Sequence, residues 1–208
     1  VSGRFGATAG LIGEIPAPGR RLQPLVHANE ALSPSMLHLI QTLLLIVFPA
    51  LVIVGGLKDI TSFTIPNWIS LALIGGFALA AVALGLPWQT ILLSLGIGVA
   101  GLFLAMGMFA MGWIGGGDAK MFAAAALWLG WPASMDFMLI TGLAGGALAV
   151  SLLGLRSVWV RHLTVRGPDW VGRLATPGGD APYGVAIAIG ALAAFPKSPL
   201  ALAFAAFA

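Results

Sequence analysis

The chain has 208 residues, of which 59% are hydrophobic, with a mean hydropathy of +1.01, a formal net charge of +3 and a pI near 10.0. Soluble domains carry roughly 45–50% apolar residues, so this composition predicts an all-α protein, a polytopic helical bundle in a membrane rather than a water-soluble enzyme. With no cysteine there is no disulfide framework, thiolate metal site or cysteine nucleophile.

His27, His38 and His162 lie far apart and form no i,i+4 pair, so neither a metal nor another cofactor is expected. The ten basic residues are scattered among apolar runs and form no face for nucleic acid. They fit a role in membrane orientation better.

Residues 1 to about 36 are polar, with Pro, Gly and Arg throughout and no periodicity, and read as a flexible tail. The tail lacks the order of a signal peptide. Met36 directly precedes the first apolar run, so residues 1–35 read as a possible extension ahead of the natural start. Residues 37–208 are expected to form one membrane-embedded domain.

A bilayer core needs about 20 apolar residues per helix, and about six runs approach that length. The first covers about Leu37 to Leu57, followed by a polar link from Ile60 to Pro66, where Pro66 disfavours helix at Ile65. The second covers about Trp68 to Leu86. The third extends from about Thr90 to Ile114 and leads into Gly115-Gly116-Gly117-Asp118. The fourth, from about Ala119 to Gly130, is short, and the fifth covers about Phe137 to Leu155. After a polar loop from Arg156 to Asp180, the sixth starts at Pro182-Tyr183-Gly184 and reaches Phe195.

Six spans predict sidedness. If the first ends in the cytoplasm, Lys58, Lys120, Arg156, Arg161, Arg166 and Arg173 lie inside, and the turns at 87–89 and 131–136 carry no Lys or Arg. Arg4, Arg20, Arg21 and Lys197 lie outside, a bias in the sense of the positive-inside rule.

Seven acids are present. Glu14 and Glu30 fall in the tail, Asp136 at the outer start of a span, and Asp169 and Asp180 in the long loop. Asp59 and Asp118 remain, both at cytoplasmic span ends, where they can meet at one depth. Two carboxylates in a partly dry site share a proton. The charged one takes a proton from water while the neutral one donates to a substrate carbonyl. Glycines beside them permit close backbone approach. Taken singly, an Asp at a span end is equally a helix cap, the glycines equally a turn, and Lys58 and Lys120 interfacial anchors. The combination is what points to a site.

The pattern Gly115-x-Gly117-Asp118 with Ala119-Lys120, an upstream Asp59 followed by Ile65-Pro66-Asn67, and a downstream Pro182-Tyr183-Gly184 resembles the type IV prepilin peptidases. These are intramembrane aspartic proteases of the GxGD type, and the short form is similar to those of tight-adherence (Flp) pilus systems. The resemblance covers about residues 37 to 195. It implies that Asp59 and Asp118 are the catalytic pair and that Gly115 and Gly117 shape the loop. Pro66 and Asn67, with Lys120, Pro182, Tyr183 and Gly184, would contribute to substrate binding around it. The implied substrates are prepilins and pseudopilins, cut at the cytoplasmic face of the bacterial inner membrane just ahead of an apolar helix.

Longer relatives carry paired cysteines in a cytoplasmic domain and methylate the new N-terminus, so peptidase activity without methyl transfer is expected here. The segment Ile60 to Thr64 is less basic than in many relatives, which leaves leader preference open. Gly96-Ile97-Gly98-Val99-Ala100-Gly101 spells a dinucleotide fingerprint, but it sits inside an apolar run with no preceding strand and reads as helix packing. Gly142 to Gly146 reads as a helix contact, within or between chains, and oligomeric state is left open. The arginines of the long loop read as contacts to anionic lipid headgroups, and Asp180 as a cap for the sixth helix. The rival function is a small transporter or channel that relays protons or a cation through Asp59 and Asp118. An inactive assembly scaffold is a third.

Overall fold

The computed structural model describes residues 34–157 and 181–207, together with Gly172, Leu174 and Thr176. Chain contacts divide the protein into residues 1–37 and 38–208. The first unit is described only in its last residues, which form a helical turn, and the second holds a helical bundle with no strand among the described residues. The expected loop residues Arg161, His162, Arg166, Arg173 and Asp180, and the tail through residue 33, lie outside the described residues.

The helices are α1 (Pro34–Ser62), α2 (Asn67–Ala83), α3 (Trp88–Ala110), α4 (Gly116–Leu155), α5 (Tyr183–Ala194) and α6 (Pro199–Phe207), with a 3-10 turn at Phe195–Lys197 between the last two. Among the described residues, four stretches are long and apolar enough to cross a membrane: Ser35–Ser62, Trp88–Ala110, Gly116–Leu155 and Tyr183–Ala206. The 17-residue α2 is a shorter apolar helix.

The 40 residues of α4 are two passes, not one. A continuous helix would put Phe122 and Phe137 about 22 Å apart at 1.5 Å per residue, yet their ring centroids are 4.7 Å apart. The chain reverses at Gly130 and Trp131, whose backbone is non-helical. Gly130 has φ +53, and a Cβ there would sit 2.7 Å from the Ser94 hydroxyl, so only glycine suits this corner. The expected fourth and fifth runs are therefore the two arms of α4.

Contacts sort the helix ends into two groups. At one end the last turn of α1, the start of α2, the start of α4 and the start of α5 converge, since Gly184 meets Asp59 and Gly117 meets Ile65. At the other, Gln41 Nε2 donates to the Ala83 carbonyl at 2.9 Å, and Gly130 meets Ser94 and Pro199. The described residues thus pass through the bundle six times. The first arm of α4 is the central pillar. Trp128, fully buried, donates its indole N–H to the Leu73 carbonyl of α2 at 2.6 Å and packs against Phe48 and Phe77.

Small residues let this pillar approach its neighbours, as expected where helices associate by close packing in lipid. Gly98 and Gly101 of α3 lie against Leu127 and Ala126, so two glycines of the fingerprint-like stretch form a packing seam, while Gly96 faces open space. In the second arm, Gly145 lies against the Tyr183 ring, while Gly142 and Gly146 face open space. The contact expected of this glycine cluster is made by its middle member.

Helix ends differ from expectation for local reasons. α1 continues beyond Leu57 to Ser62, and the polar Thr61 and Ser62 are accommodated in its last turn by turning their hydroxyls back onto the Leu57 and Lys58 carbonyls, both at 2.7 Å. α2 and α3 stop earlier than Leu86 and Ile114, at Schellman motifs centred on Gly85 (φ +60) and Gly112 (φ +73).

Candidate active site

Asp59 sits in the last turn of α1 and is 5% exposed. Its Oδ2 accepts the Gly184 N–H at 2.7 Å, at the first turn of α5. The contact depends on glycine: a Cβ at position 184 would lie 2.9 Å from Asp59 Cβ, Asp59 Oδ2 and Ile65 Cδ1. Pro182 caps α5 from a fully buried position, and its fixed φ suits a helix entry. Local sequence thus aims the amide at the carboxylate.

Asp118 is also 5% exposed and occupies the first turn of α4. Its Oδ2 accepts the Gly115 N–H at 3.0 Å, the reciprocal half of a capping box. The same Gly184 amide lies beside this carboxylate as well, although its well-formed hydrogen bond goes to Asp59. Asp118 Oδ1 is buried with no hydrogen-bond partner among the described residues. Gly117 is held by proximity, since a Cβ there would meet Ile65 Cβ at 3.0 Å and its backbone N and O at 3.2 and 3.3 Å. Gly116 has more room, with the Phe109 ring at 3.5 Å.

Asp59 and Asp118 line one cavity of about 220 Å³, with Phe63, Thr64, Ile65 and the three glycines 115–117. Its walls are two acids, backbone and apolar or hydroxyl side chains. That set can hold water and an extended peptide between two carboxylates, and among the described residues no group of three or more His, Asp or Glu side chains is placed to hold a metal.

The model of the type IV leader peptidase family matches residues 46–150, a stretch that includes both aspartates and the whole glycine loop. The chain belongs to the type IV leader peptidase family. It is accordingly a leader peptidase-type protease, as the sequence resemblance implied. No curated protein and no solved structure matches the chain.

Within this leader peptidase the expected site residues fall into two groups. Asp59, Asp118, Gly115 and Gly117 line the cavity, and Gly184 reaches it through its amide. Pro66, Asn67, Lys120, Pro182 and Tyr183 do not line it. Pro66 caps α2, Lys120 Nζ donates to Asn67 Oδ1 at 2.9 Å outside the cavity, and Tyr183 packs on Gly145. Phe63 and Thr64 line the cavity and were not singled out from the sequence. Phe63 takes φ +55, the left-handed conformation that commonly follows a helix and usually belongs to glycine. Its N–H bonds the Asp59 carbonyl at 2.8 Å, so the strained turn closes α1 directly over Asp59. No residue pattern marks that turn in advance.

Proposed function

We propose that the protein is an aspartic endopeptidase that removes the leader of type IV prepilins, Flp-type pilins and pseudopilins through Asp59 and Asp118. The observation that carries this reading is that both buried aspartates line one small cavity beside a single backbone amide. In the proposed cycle one carboxylate is ionised and one protonated. The ionised group takes a proton from water as the water oxygen attacks the scissile carbonyl carbon. The protonated group donates its proton to the carbonyl oxygen. Collapse of the tetrahedral intermediate breaks the C–N bond, and the departing amine receives a proton from the dyad. Asp118 Oδ1, buried and without a hydrogen-bond partner among the described residues, is an acceptor that a bound water or substrate group would satisfy. The reading covers peptide cleavage alone, without methyl transfer to the new N-terminus.

The cut is proposed at the cytoplasmic face of a bacterial inner membrane, by a multi-pass domain of residues 37–208. Support comes from charge. Lys58, Lys120 and Arg156 belong to the helix ends on the aspartate side, whereas the turns at 87–89 and 131–136 on the far side hold no Lys or Arg. Lys197 on the far side is paired with Asp136 at 2.6 Å. Co-expression with a Flp-type prepilin, followed by sequencing and mass measurement of the new N-terminus, tests the reading. Cleavage just ahead of the apolar helix, with no added methyl mass, is the expected result. An intact leader in the presence of membrane-inserted protein would refute it.

A further inference from the structure

A second, larger opening lies beside the aspartate cavity. α2 and α3 follow one another in the chain, yet each packs against α4 and hardly at all against the other. Between them runs an apolar groove of about 510 Å³, open on its outer side. Leu71 and Ile74 of α2 form one wall, Leu95 and Val99 of α3 the other, all exposed. Its floor is Ala123 and Ala124 of α4, residues small enough for a third helix to approach closely.

Two observations indicate what the groove holds. Ser70, lining it, is 6% exposed, and its buried hydroxyl has no hydrogen-bond partner among the described residues. A buried hydroxyl without a partner is costly, and a hydrocarbon chain would leave it so, whereas a helix offers backbone carbonyls and polar side chains. The groove also ends close to the aspartate site, although the two share no lining residue. Its upper end is Asn67 and Lys120, joined at 2.9 Å. Each lies two residues from a wall of the aspartate cavity, Asn67 from Ile65 and Lys120 from Asp118.

We propose that this groove seats the apolar helix of the peptide substrate. The N-terminal end of that helix then points at Asn67 and Lys120, and the extended chain preceding it enters between Asp59 and Asp118. The inference rests on the peptidase reading above and adds where the substrate lies. It makes Ser70 a partner of the substrate helix, and gives the Asn67–Lys120 pair a position where leader and helix meet.

The chain has no cysteine, so single cysteines report position without background. In an Asp118→Asn variant that retains substrate, Ile74→Cys, Leu95→Cys and a control on the second arm of α4, Leu139→Cys, are each co-expressed with a Flp-type prepilin carrying one cysteine in its apolar helix. Oxidative cross-linking at least tenfold stronger at positions 74 and 95 than at 139 is expected. Equal cross-linking at all three, or a preference for 139, overturns the groove. As a second measurement, Ala124→Leu in the otherwise wild-type chain is expected to lower cleavage at least tenfold. Wild-type cleavage with unchanged cleavage by Ala124→Leu overturns the groove and leaves the peptidase standing. No cleavage by the wild type overturns both.

Discussion

The Asp59 carboxylate accepts the amide hydrogen of Gly184 at 2.7 Å, joining two residues 125 positions apart. Four parts of the chain meet around this contact, because Ile65 of the α1–α2 link packs against the same glycine, and Gly117 of α4 packs against Ile65. The site is thus a stack of backbone glycines and one isoleucine that fixes two aspartates.

Gly184→Ala tests the stack from α5. The added methyl would lie 2.9 Å from both Asp59 and Ile65, and forcing a methyl into a packed site costs about 1–3 kcal/mol. Leader cleavage should fall tenfold or more, with protein still accumulating in the membrane. Rates and membrane levels measured side by side decide it, and wild-type rates would mean that the amide contact is dispensable.

The glycine loop offers an internal comparison. Gly117→Ala places a methyl against Ile65 backbone atoms at 3.2–3.3 Å, whereas Gly116→Ala meets only the Phe109 ring at 3.5 Å. The first should lose most cleavage and the second should keep most of it. Equal behaviour in a cleavage assay would contradict close packing as the reason for glycine at 117.

Stability should depend on the central pillar rather than on surface charge. Trp128→Phe removes the 2.6 Å bond to the Leu73 carbonyl from a fully buried position, for an expected loss of about 1–3 kcal/mol. Lys197→Ala breaks an ion pair whose side chains are 67% and 39% exposed, a contact worth about 0–1 kcal/mol. Thermal unfolding in detergent should therefore separate them, with a clear drop in midpoint for Trp128→Phe and little change for Lys197→Ala.

Hydropathy made the six passes legible, including the pair that the structure joins into α4, because Gly130-Trp131-Pro132 interrupts the run visibly. The ends were less legible. Polar Thr61 and Ser62 read as a link, yet α1 runs through them past Asp59, their hydroxyls bonded within the helix to the Leu57 and Lys58 carbonyls. Gly85 and Gly112 lay within expected apolar runs, and their left-handed φ is what ends α2 and α3. Asp59 and Asp118 were found by counting passes, since alternate ends share a side. The Gly184 amide, the strained Phe63 and the separation of α2 from α3 follow from tertiary packing, which no short stretch of sequence encodes.

In the proposed mechanism Asp59 and Asp118 act as one catalytic unit. Residues that work as a unit are non-additive when removed. The decisive measurement is the rate of prepilin leader removal by Asp59→Asn, Asp118→Asn and the double variant, each reconstituted in lipid beside the wild type. Cleavage should be abolished by either single substitution, with no further loss in the double. Full cleavage by either single variant would contradict the dyad.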